Sequence, residues 1–297
     1  MSAAREPAVA GRFYEASPGR LRESLRGCFL HSLGPGALPE PAADGPGLIQ
    51  ALVSPHAGYM FSGPAAAHGF AALAADGAPE VVVILGPSHY AADRRAAVST
   101  APVWRTPLGD VEVDAALGRQ LVEASPLIAA DERPHRGEHS VEVQIPFLQF
   151  VFGDRMPRIC PICVRSHPLW SVHELVADAR AIGETLGGAL DERRAVMIAS
   201  TDLSHQLPKA TAERLDRMAL GAVLAGDPER LLRTVADHEI TMCGPVPVAI
   251  ALFFCLMQGR SEAELLTYYT SGDIIGDRAG VVGYASVAIR RAGGEPP

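Results

Sequence analysis

The chain carries at residues 81–90 the sequence VVVILGPSHY, an unbroken apolar run with an abrupt polar end. Its first four residues are β-branched, a composition that favours an extended strand over a helix. Because no polar residue interrupts the run, both faces of this strand are predicted to be buried, as in the interior of a parallel sheet. Gly86 and Pro87 then end the strand, and His89 follows two residues later.

Two further predicted strands end in the same way. Residues 48–53 run into SPHAGY at 54–59, and residues 195–199 run into STDLSH at 200–205. In open α/β sheets, ligands bind in the crevice beyond the carboxyl ends of the strands. We therefore expect four side chains to project into one region: His56, His89, Asp202 and His205.

Helical patterns alternate with these strands and indicate an α/β fold. A helix is predicted to begin near Ser140, and other helices are predicted over residues 64–74, 172–186, 211–224, 228–237 and 245–257. Closing strands are predicted near 264–270 and 281–289. This alternation is typical of one domain, here residues 1–297, with a central mixed or mostly parallel sheet flanked by helices. Residues 31–47, rich in Pro and Gly, are predicted to form a surface loop within it.

The composition excludes several classes of protein. Lys and Arg number 26 against 34 Asp and Glu, whereas sequence-independent nucleic-acid binding needs an excess of basic side chains. The longest apolar run, residues 245–257, is shorter than the roughly 20 residues that span a bilayer, so no membrane association is expected. The N-terminus lacks an apolar signal region, and five cysteines are too few for a disulfide framework. We therefore expect a cytoplasmic protein.

Cys243 is a third candidate ligand beside the histidines. It precedes the predicted helix 245–257, where the positive end of the helix dipole favours a thiolate. Two imidazoles and one thiolate would make a site with open positions, suited to zinc, iron or copper. Taken alone, Cys243 is interpreted as an inert buried thiol, whereas beside His56 and His89 it is interpreted as a metal ligand.

Two other clusters have competing interpretations. At residues 138–140, Glu-His-Ser lies at a predicted helix start, where Ser140 can cap a backbone N–H or His139 can support or perform acid/base chemistry. The sequence CPIC at 160–163 has redox-motif spacing, but it lies in a predicted strand whose alternation places the two cysteines on opposite faces. We interpret both cysteines as packing residues.

Six motifs in order along the chain resemble those of the Memo family, whose bacterial members are called AmmeMemoRadiSam system protein B. They are PAVAGRFY (7–14), SPHAGY (54–59), LGPSH (85–89), EHS (138–140), STDLSH (200–205) and the segment around Cys243. The resemblance covers nearly the whole chain. It implies a fold like that of class III extradiol ring-cleaving dioxygenases, whose non-haem iron lies between two histidines and a glutamate.

The same resemblance implies roles for individual residues. Matching the motifs one by one assigns metal ligands His56, His89 and Cys243, an acid/base group His205, and pocket residues Asp202 and His139. Because Cys243 replaces the carboxylate of the 2-His-1-carboxylate triad, ring cleavage does not follow from the fold.

Three functions are compatible with these residues. The first is a metal-dependent oxidoreductase that uses iron, with copper or zinc as alternatives, and in which His205, oriented by Asp202, moves a proton with help from His139. The second is a non-catalytic module that binds a small molecule or a peptide in the crevice. The third is an accessory protein that works with a radical-SAM enzyme, as the system name implies.

Overall fold

In the computed structural model, which describes residues 4–90, 94–166 and 170–293, eight strands form one mixed sheet beside a short two-stranded hairpin. The strands of the sheet are β1 (Ile49–Ser54), β2 (Val81–Pro87), β3 (Ala96–Val98), β6 (Ile128–Ala130), β7 (Arg158–Val164), β8 (Ala195–Ser200), β9 (Ser261–Thr270) and β10 (Gly283–Arg291). The hairpin strands are β4 (Val103–Thr106) and β5 (Gly109–Glu112). Pro107 and Leu108 form the turn between them.

The sheet has the strand order β6-β3-β7-β2-β8-β1-β10-β9. Its four central strands, β7, β2, β8 and β1, are parallel to their neighbours within that group. Antiparallel pairing begins outside them, with β3 on one side and β10 on the other. The predicted mixed sheet is therefore confirmed, and the central parallel strands end at one common edge.

Helices cover both faces of this sheet. They are α1 (Pro18–Leu30), α2 (Tyr59–Asp76), α3 (Ala115–Ala124), α4 (Ile145–Phe152), α5 (Val172–Ala189), α6 (Lys209–Leu224), α7 (Pro228–Asp237), α8 (Pro245–Met257) and α9 (Ser271–Ile275). Side chains of α1, α2 and α4 pack in the core on one face, and those of α3, α5, α6, α7 and α8 pack in the core on the other. Within the described part of the chain, no helix has the length and apolar character needed to cross a membrane.

Strand β2 contributes side chains to both of the large hydrophobic cores of the described structure. Val81, Val83 and Leu85 pack in the core beside α8, whereas Val82 and Ile84 pack in the core beside α2. All five side chains are fully buried, as the unbroken apolar run predicts. Burial of each of these side chains stabilises the fold by roughly 1.5–3 kcal/mol. This strand is therefore a main determinant of the fold.

Several element boundaries differ from the sequence prediction. Helix α2 begins at Tyr59, five residues before Pro64, which lies inside the helix. The helix predicted near Ser140 begins as a 3-10 turn at Glu142–Gln144, and Pro146 occupies the first turn of α4. The three-residue β6 and the five-residue α9 are too short to give a periodic pattern. Residues 31–47 contain no helix or strand, as predicted.

The CPIC motif lies in β7, as predicted. Cys160 packs in the core beside α8 and Cys163 in the core on the opposite face, so the two thiols face away from each other. The Cys163 Sγ atom is 3.2 Å from Nδ1 of the buried His135. Neither cysteine is exposed, and burial raises the pKa of both thiols, that of Cys160 to about 12.

Gly86, at the end of β2, allows the segment that contains Ser140 to lie against the strand. A methyl group added at Gly86 would lie 2.4 Å from Ser140 Oγ and 2.8 Å from Val141 Cγ2. We predict that Gly86→Ala lowers the free energy of unfolding by about 1–3 kcal/mol, because the core must open to admit the added carbon. Chemical denaturation would measure this change.

Gly27 provides the matched control. It is exposed in α1, and a methyl group there would meet no atom within 4 Å. Gly27→Ala is therefore expected to raise stability by about 0.5–1 kcal/mol through helix propensity. Equal effects of the two substitutions would contradict the close packing described for Gly86.

Candidate metal centre

Three neighbouring parallel strands end at one edge of the sheet, and the loops after them carry four of the predicted site residues, His56, His89, Asp202 and His205. Strand β8 lies between β2 and β1, and Ser54 at the end of β1 is in register with Ser200 at the end of β8. The loops after these strands begin with Pro55, Ser88 and Thr201. This is the crevice position that the sheet topology predicts for a ligand.

Three histidines meet at this edge. Within the described residues, the one group of side chains whose ligand atoms all lie within 4.8 Å of one another consists of His56, His89 and His139. The ring centroids of His89 and His139 are 4.8 Å apart in a stacked pair, and the His56 ring is edge-on to both at 5.7 and 5.3 Å. The structure therefore brings together the two predicted metal histidines and adds His139 to them.

His89 is held by Glu138. Its ring Nδ1 lies 2.9 Å from Glu138 Oε1, and its backbone N–H donates to Oε2 at 2.7 Å. Burial alone would raise the pKa of Glu138, but the bonds from His89 and Ser140 outweigh it and lower that pKa to about 2. The same bond to Glu138 raises the pKa of His89 against the effect of burial. Because the carboxylate accepts from Nδ1, the His89 Nε2 atom stays available as a ligand atom.

His139 and His56 are both held in the neutral form. Burial first, and then the charge of the neighbouring histidines, lower the pKa of His56 to about 3 and that of His139 to about 4. His139 also packs on Phe13, with ring centroids 4.6 Å apart. Neutral imidazole is the form that binds metal ions.

Cys243 lies against His56. Its Sγ atom is 3.1 Å from His56 Nε2 and accepts the backbone N–H of Asp202 at 3.1 Å. The group of three histidines defined by mutual 4.8 Å distances does not include Cys243, so its role as the third ligand stays a prediction. Burial, and then the Asp202 carboxylate, raise the pKa of the thiol. This shift runs against the expectation that the start of α8 favours the thiolate.

Asp202 does not orient His205, contrary to the sequence interpretation. The Asp202 carboxylate accepts the backbone N–H of His56 at 2.8 Å, and thus fixes the loop that carries a predicted ligand. The ring Nδ1 of His205 instead lies 2.8 Å from the Thr241 carbonyl oxygen, and the backbone N–H of His205 donates to Thr241 Oγ1 at 2.7 Å. His205 still lies close enough to His56 and Asp202 to interact electrostatically with both.

Arg5 holds the segment that carries Glu138 and His139. Its guanidinium donates to the His135 carbonyl from Nε at 3.1 Å and from Nη2 at 2.8 Å, and to the Glu138 carbonyl at 2.8 Å. Its Nη1 pairs with the fully buried Glu142 carboxylate, and the guanidinium carbon lies 4.3 Å from the Trp104 ring centroid. A residue near the N-terminus thus positions two residues of the site.

Glu138 has a clear role at the site that the sequence interpretation missed. The sequence motif at 138–140 suggests roles for His139 and Ser140 and none for Glu138. A carboxylate next to a histidine in such a motif is itself a signal, since metal-binding histidines commonly donate their second ring N–H to a carboxylate. The Glu138 carboxylate does lie 3.3 Å from Nδ1 of the adjacent His139, but it lies closer to Nδ1 of His89, at 2.9 Å. His89 comes from another loop, so adjacency in sequence does not predict this second contact.

Concave surface features elsewhere do not involve these histidines. A cavity of about 680 Å³ is lined by residues of α5, α7 and α8, among them Arg180, Arg233 and Phe253. Neither it nor the adjoining 600 Å³ groove along α5 is lined by a residue of the candidate metal centre. The convergence of histidines, rather than cavity size, therefore identifies the site.

Comparison with known proteins finds similarity to one family over nearly the whole chain. A family model described as "Memo-like protein" matches residues 5–288. A "MEMO1 family protein" of Methanopyrus kandleri is 44% identical over 289 residues, which cover 97% of this chain and 99% of that protein. A second, from Methanothermobacter thermautotrophicus, is 41% identical and covers 96% and 99%.

A solved structure extends the comparison to the fold. The crystal structure of an uncharacterized protein from Escherichia coli K12 matches with a TM-score of 0.52 and 15% identity, covering 81% of this chain and 99% of that chain. At this identity the likeness concerns the α/β architecture alone.

Proposed function

The chain belongs to the Memo-like protein family, and we propose that it is a metal-dependent oxidoreductase acting on a small substrate. A divalent transition metal, iron with copper or zinc as alternatives, is held in this proposal by His56, His89 and Cys243. The observation that carries the proposal is the convergence of three histidine ligand atoms within 4.8 Å of one another.

The donor set fits such an ion. The His56 and His139 rings are kept neutral by burial, and Glu138 accepts from Nδ1 of His89 and leaves its other nitrogen available. Imidazole and thiolate ligands suit iron, copper and zinc, whereas magnesium and calcium prefer oxygen. The Cys243 thiol must lose its proton on binding, so we expect metal binding to release a proton. His139 is an alternative or additional ligand, because it belongs to the same group of ligand atoms.

The bound ion would supply Lewis acidity and, if it is iron or copper, one-electron chemistry. The protein's own contribution begins with His205. Since the Thr241 carbonyl can only accept, the neutral His205 ring carries its proton on Nδ1, and its Nε2 can take a proton from a substrate hydroxyl. Asp202 keeps the His56 loop in place through the backbone N–H of His56. We assign His139 to the pocket wall or the ligand set, beside His89.

We further propose that the fold is related to that of class III extradiol dioxygenases. A central parallel sheet with the metal residues beyond its strand ends is consistent with this relation. Cys243 in place of a carboxylate would change the charge and redox potential of the ion, so the reaction need not be ring cleavage.

Metal analysis followed by an oxygen-uptake assay tests the proposal. Protein purified without oxygen is expected to contain close to one equivalent of transition metal and to consume oxygen when a catechol-like substrate is added. Protein that binds a small molecule or a peptide equally well before and after removal of the metal, and consumes no oxygen, would contradict it and favour a binding module.

Glu138→Gln tests the support given to His89. The substitution keeps the side chain's size and removes the charge that accepts from His89 Nδ1. We predict that metal affinity falls about 10–100-fold, the usual effect of losing such a hydrogen-bond acceptor behind a ligand. Titration with Zn²⁺ against a chromophoric chelator would measure it.

Glu132→Gln is the matched control. Glu132 also fixes a loop, by accepting from Ser99 Oγ and the Ala101 N–H at 2.9 Å each, but it has no bond to the three histidines. Its substitution is expected to leave metal affinity within about threefold of the original value, a margin well below the effect of losing a supporting carboxylate. A similar loss of affinity in both variants would show that the Glu138 effect is not specific to His89.

A further inference from the structure

The geometry points to Ser200 as a positioning residue that keeps the ring proton of His56 on Nδ1 and leaves Nε2 as the free lone pair of that ring. The effect of Ser200 on metal binding depends on the proposed function, whereas its effect on the position of the His56 ring proton does not. The inference comes from the hydrogen bonds around one buried hydroxyl.

The Ser200 hydroxyl has one hydrogen, and the structure determines where it points. Ser200 Oγ lies 2.7 Å from the Ser140 carbonyl oxygen, which can only accept, so the hydroxyl donates there. The same Oγ lies 2.8 Å from His56 Nδ1. With its only hydrogen already used, Ser200 must accept at that contact, and His56 Nδ1 must carry the proton.

Gln144 secures the arrangement from the other side. Its Nε2 donates to Ser200 Oγ at 3.0 Å and to the Pro55 carbonyl at 2.9 Å, while its Oε1 accepts from Ser54 Oγ at 2.8 Å. A flipped amide would place its oxygen against the Pro55 carbonyl, so this orientation is fixed. Ser200 Oγ therefore accepts from two N–H groups and donates to one carbonyl.

Burial makes this network decisive. Ser54, Ser140 and Ser200 are fully buried, and Gln144 and His56 are 1% and 2% exposed. Because water does not reach these groups, it cannot replace a hydrogen-bond partner that is lost. Each hydrogen of this buried network is therefore strongly fixed in its position. On the other side of the ring, His56 Nε2 faces Cys243 Sγ at 3.1 Å.

The fixed proton decides which nitrogen of His56 can bind an ion. With the proton on Nδ1, the Nε2 lone pair points toward Cys243 and the other histidines. With the proton on Nε2, the ring would present an N–H at that place and could not act as a ligand. Ser200 therefore prepares His56 for binding before any ion arrives, although it lies behind the ring.

Long-range ¹H–¹⁵N correlation NMR of metal-free protein with labelled histidine tests the inference. We expect the Nδ1–H tautomer for His56 in the unmodified protein, and a shift toward Nε2–H, or a mixture, in Ser200→Ala. Ser286→Ala is the control, since Ser286 is also fully buried and its hydroxyl has no hydrogen-bond partner within the described structure. That variant should leave the His56 signals unchanged.

The outcomes separate this inference from the proposed function. An Nε2–H tautomer in the unmodified protein would overturn it without any variant, and so would an unchanged Nδ1–H signal in folded Ser200→Ala. If the protein binds Zn²⁺, Ser200→Ala should weaken binding by about 10–100-fold. If the unmodified protein binds no metal while its tautomer is as expected, the proposed function fails and the role of Ser200 stands.

Discussion

Replacing His56 by alanine is expected to abolish specific metal binding, with a loss of affinity well beyond the 10–100-fold typical of residues behind a ligand. His56 contacts every other candidate ligand of the site. Its ring is edge-on to both His89 and His139, and its Nε2 contacts Cys243. Removing it takes away one ligand atom and the group that faces the thiol. Equilibrium dialysis followed by metal analysis would measure the effect.

His68→Ala is the matched control for this substitution. His68 is half-buried in α2 and bonds to the Leu33 carbonyl oxygen at 3.1 Å, outside the three-histidine group. Its substitution should leave the metal stoichiometry unchanged. Equal stoichiometry in the His56→Ala and unmodified proteins would contradict the assignment of the site.

Arg5→Ala is expected to give the largest loss of stability, about 3–5 kcal/mol in the free energy of unfolding. The substitution leaves the Glu142 carboxylate, fully buried, without its guanidinium partner. It also removes the donors to the His135 and Glu138 carbonyls and the cation above the Trp104 ring. Denaturant titration would measure the change, and metal affinity should fall with it because Glu138 loses its support.

Arg105→Ala is the control for Arg5. Arg105 pairs with Glu6 and Asp110 at 2.6 and 3.3 Å, but all three side chains are about half exposed or more. Pairs in water contribute roughly 0–1 kcal/mol, so the control should change stability little. If Arg5→Ala does not fold, Arg5→Lys provides a milder test, because it keeps the charge and loses the forked geometry. Its free energy of unfolding should be lower than that of Arg105→Ala and higher than that of Arg5→Ala. Equal stability of all these variants would contradict the role given to Arg5.

The sequence carried enough information to predict the sheet and the edge at which the histidines meet. The apolar run at 81–85 required burial on both faces, which only a central strand between two helical layers provides. Since His56 and His89 follow parallel strands at a common edge, their proximity could be predicted from strand periodicity and turn residues alone.

The supporting contacts could not be predicted in this way. Arg5 reaches His135 across 130 positions of sequence, and Glu138 reaches His89 across 49. No local pattern encodes such pairs, because they exist only once the loops are packed together. The expected orientation of His205 by Asp202 is wrong for the same reason. The Asp202 carboxylate bonds to the backbone of His56, and side-chain identities give no information about backbone partners.

The thiol of Cys243 shows a second limit of sequence reasoning. A position before a helix predicts stabilisation of the thiolate, whereas burial and the Asp202 carboxylate raise the pKa of this thiol. Burial depends on the whole fold, whereas the helix dipole can be inferred from a short segment. A bound cation would reverse the balance, since a coordinating thiol is deprotonated.

An anomalous-difference map from crystals of metal-loaded protein would show whether a transition metal binds, as proposed, among His56, His89 and Cys243. We predict a single strong peak at the metal's absorption edge, about 2.0–2.3 Å from a nitrogen of His56, a nitrogen of His89 and the Cys243 sulfur. Absence of any such peak among these side chains, in crystals whose protein was loaded with iron or zinc, would contradict it.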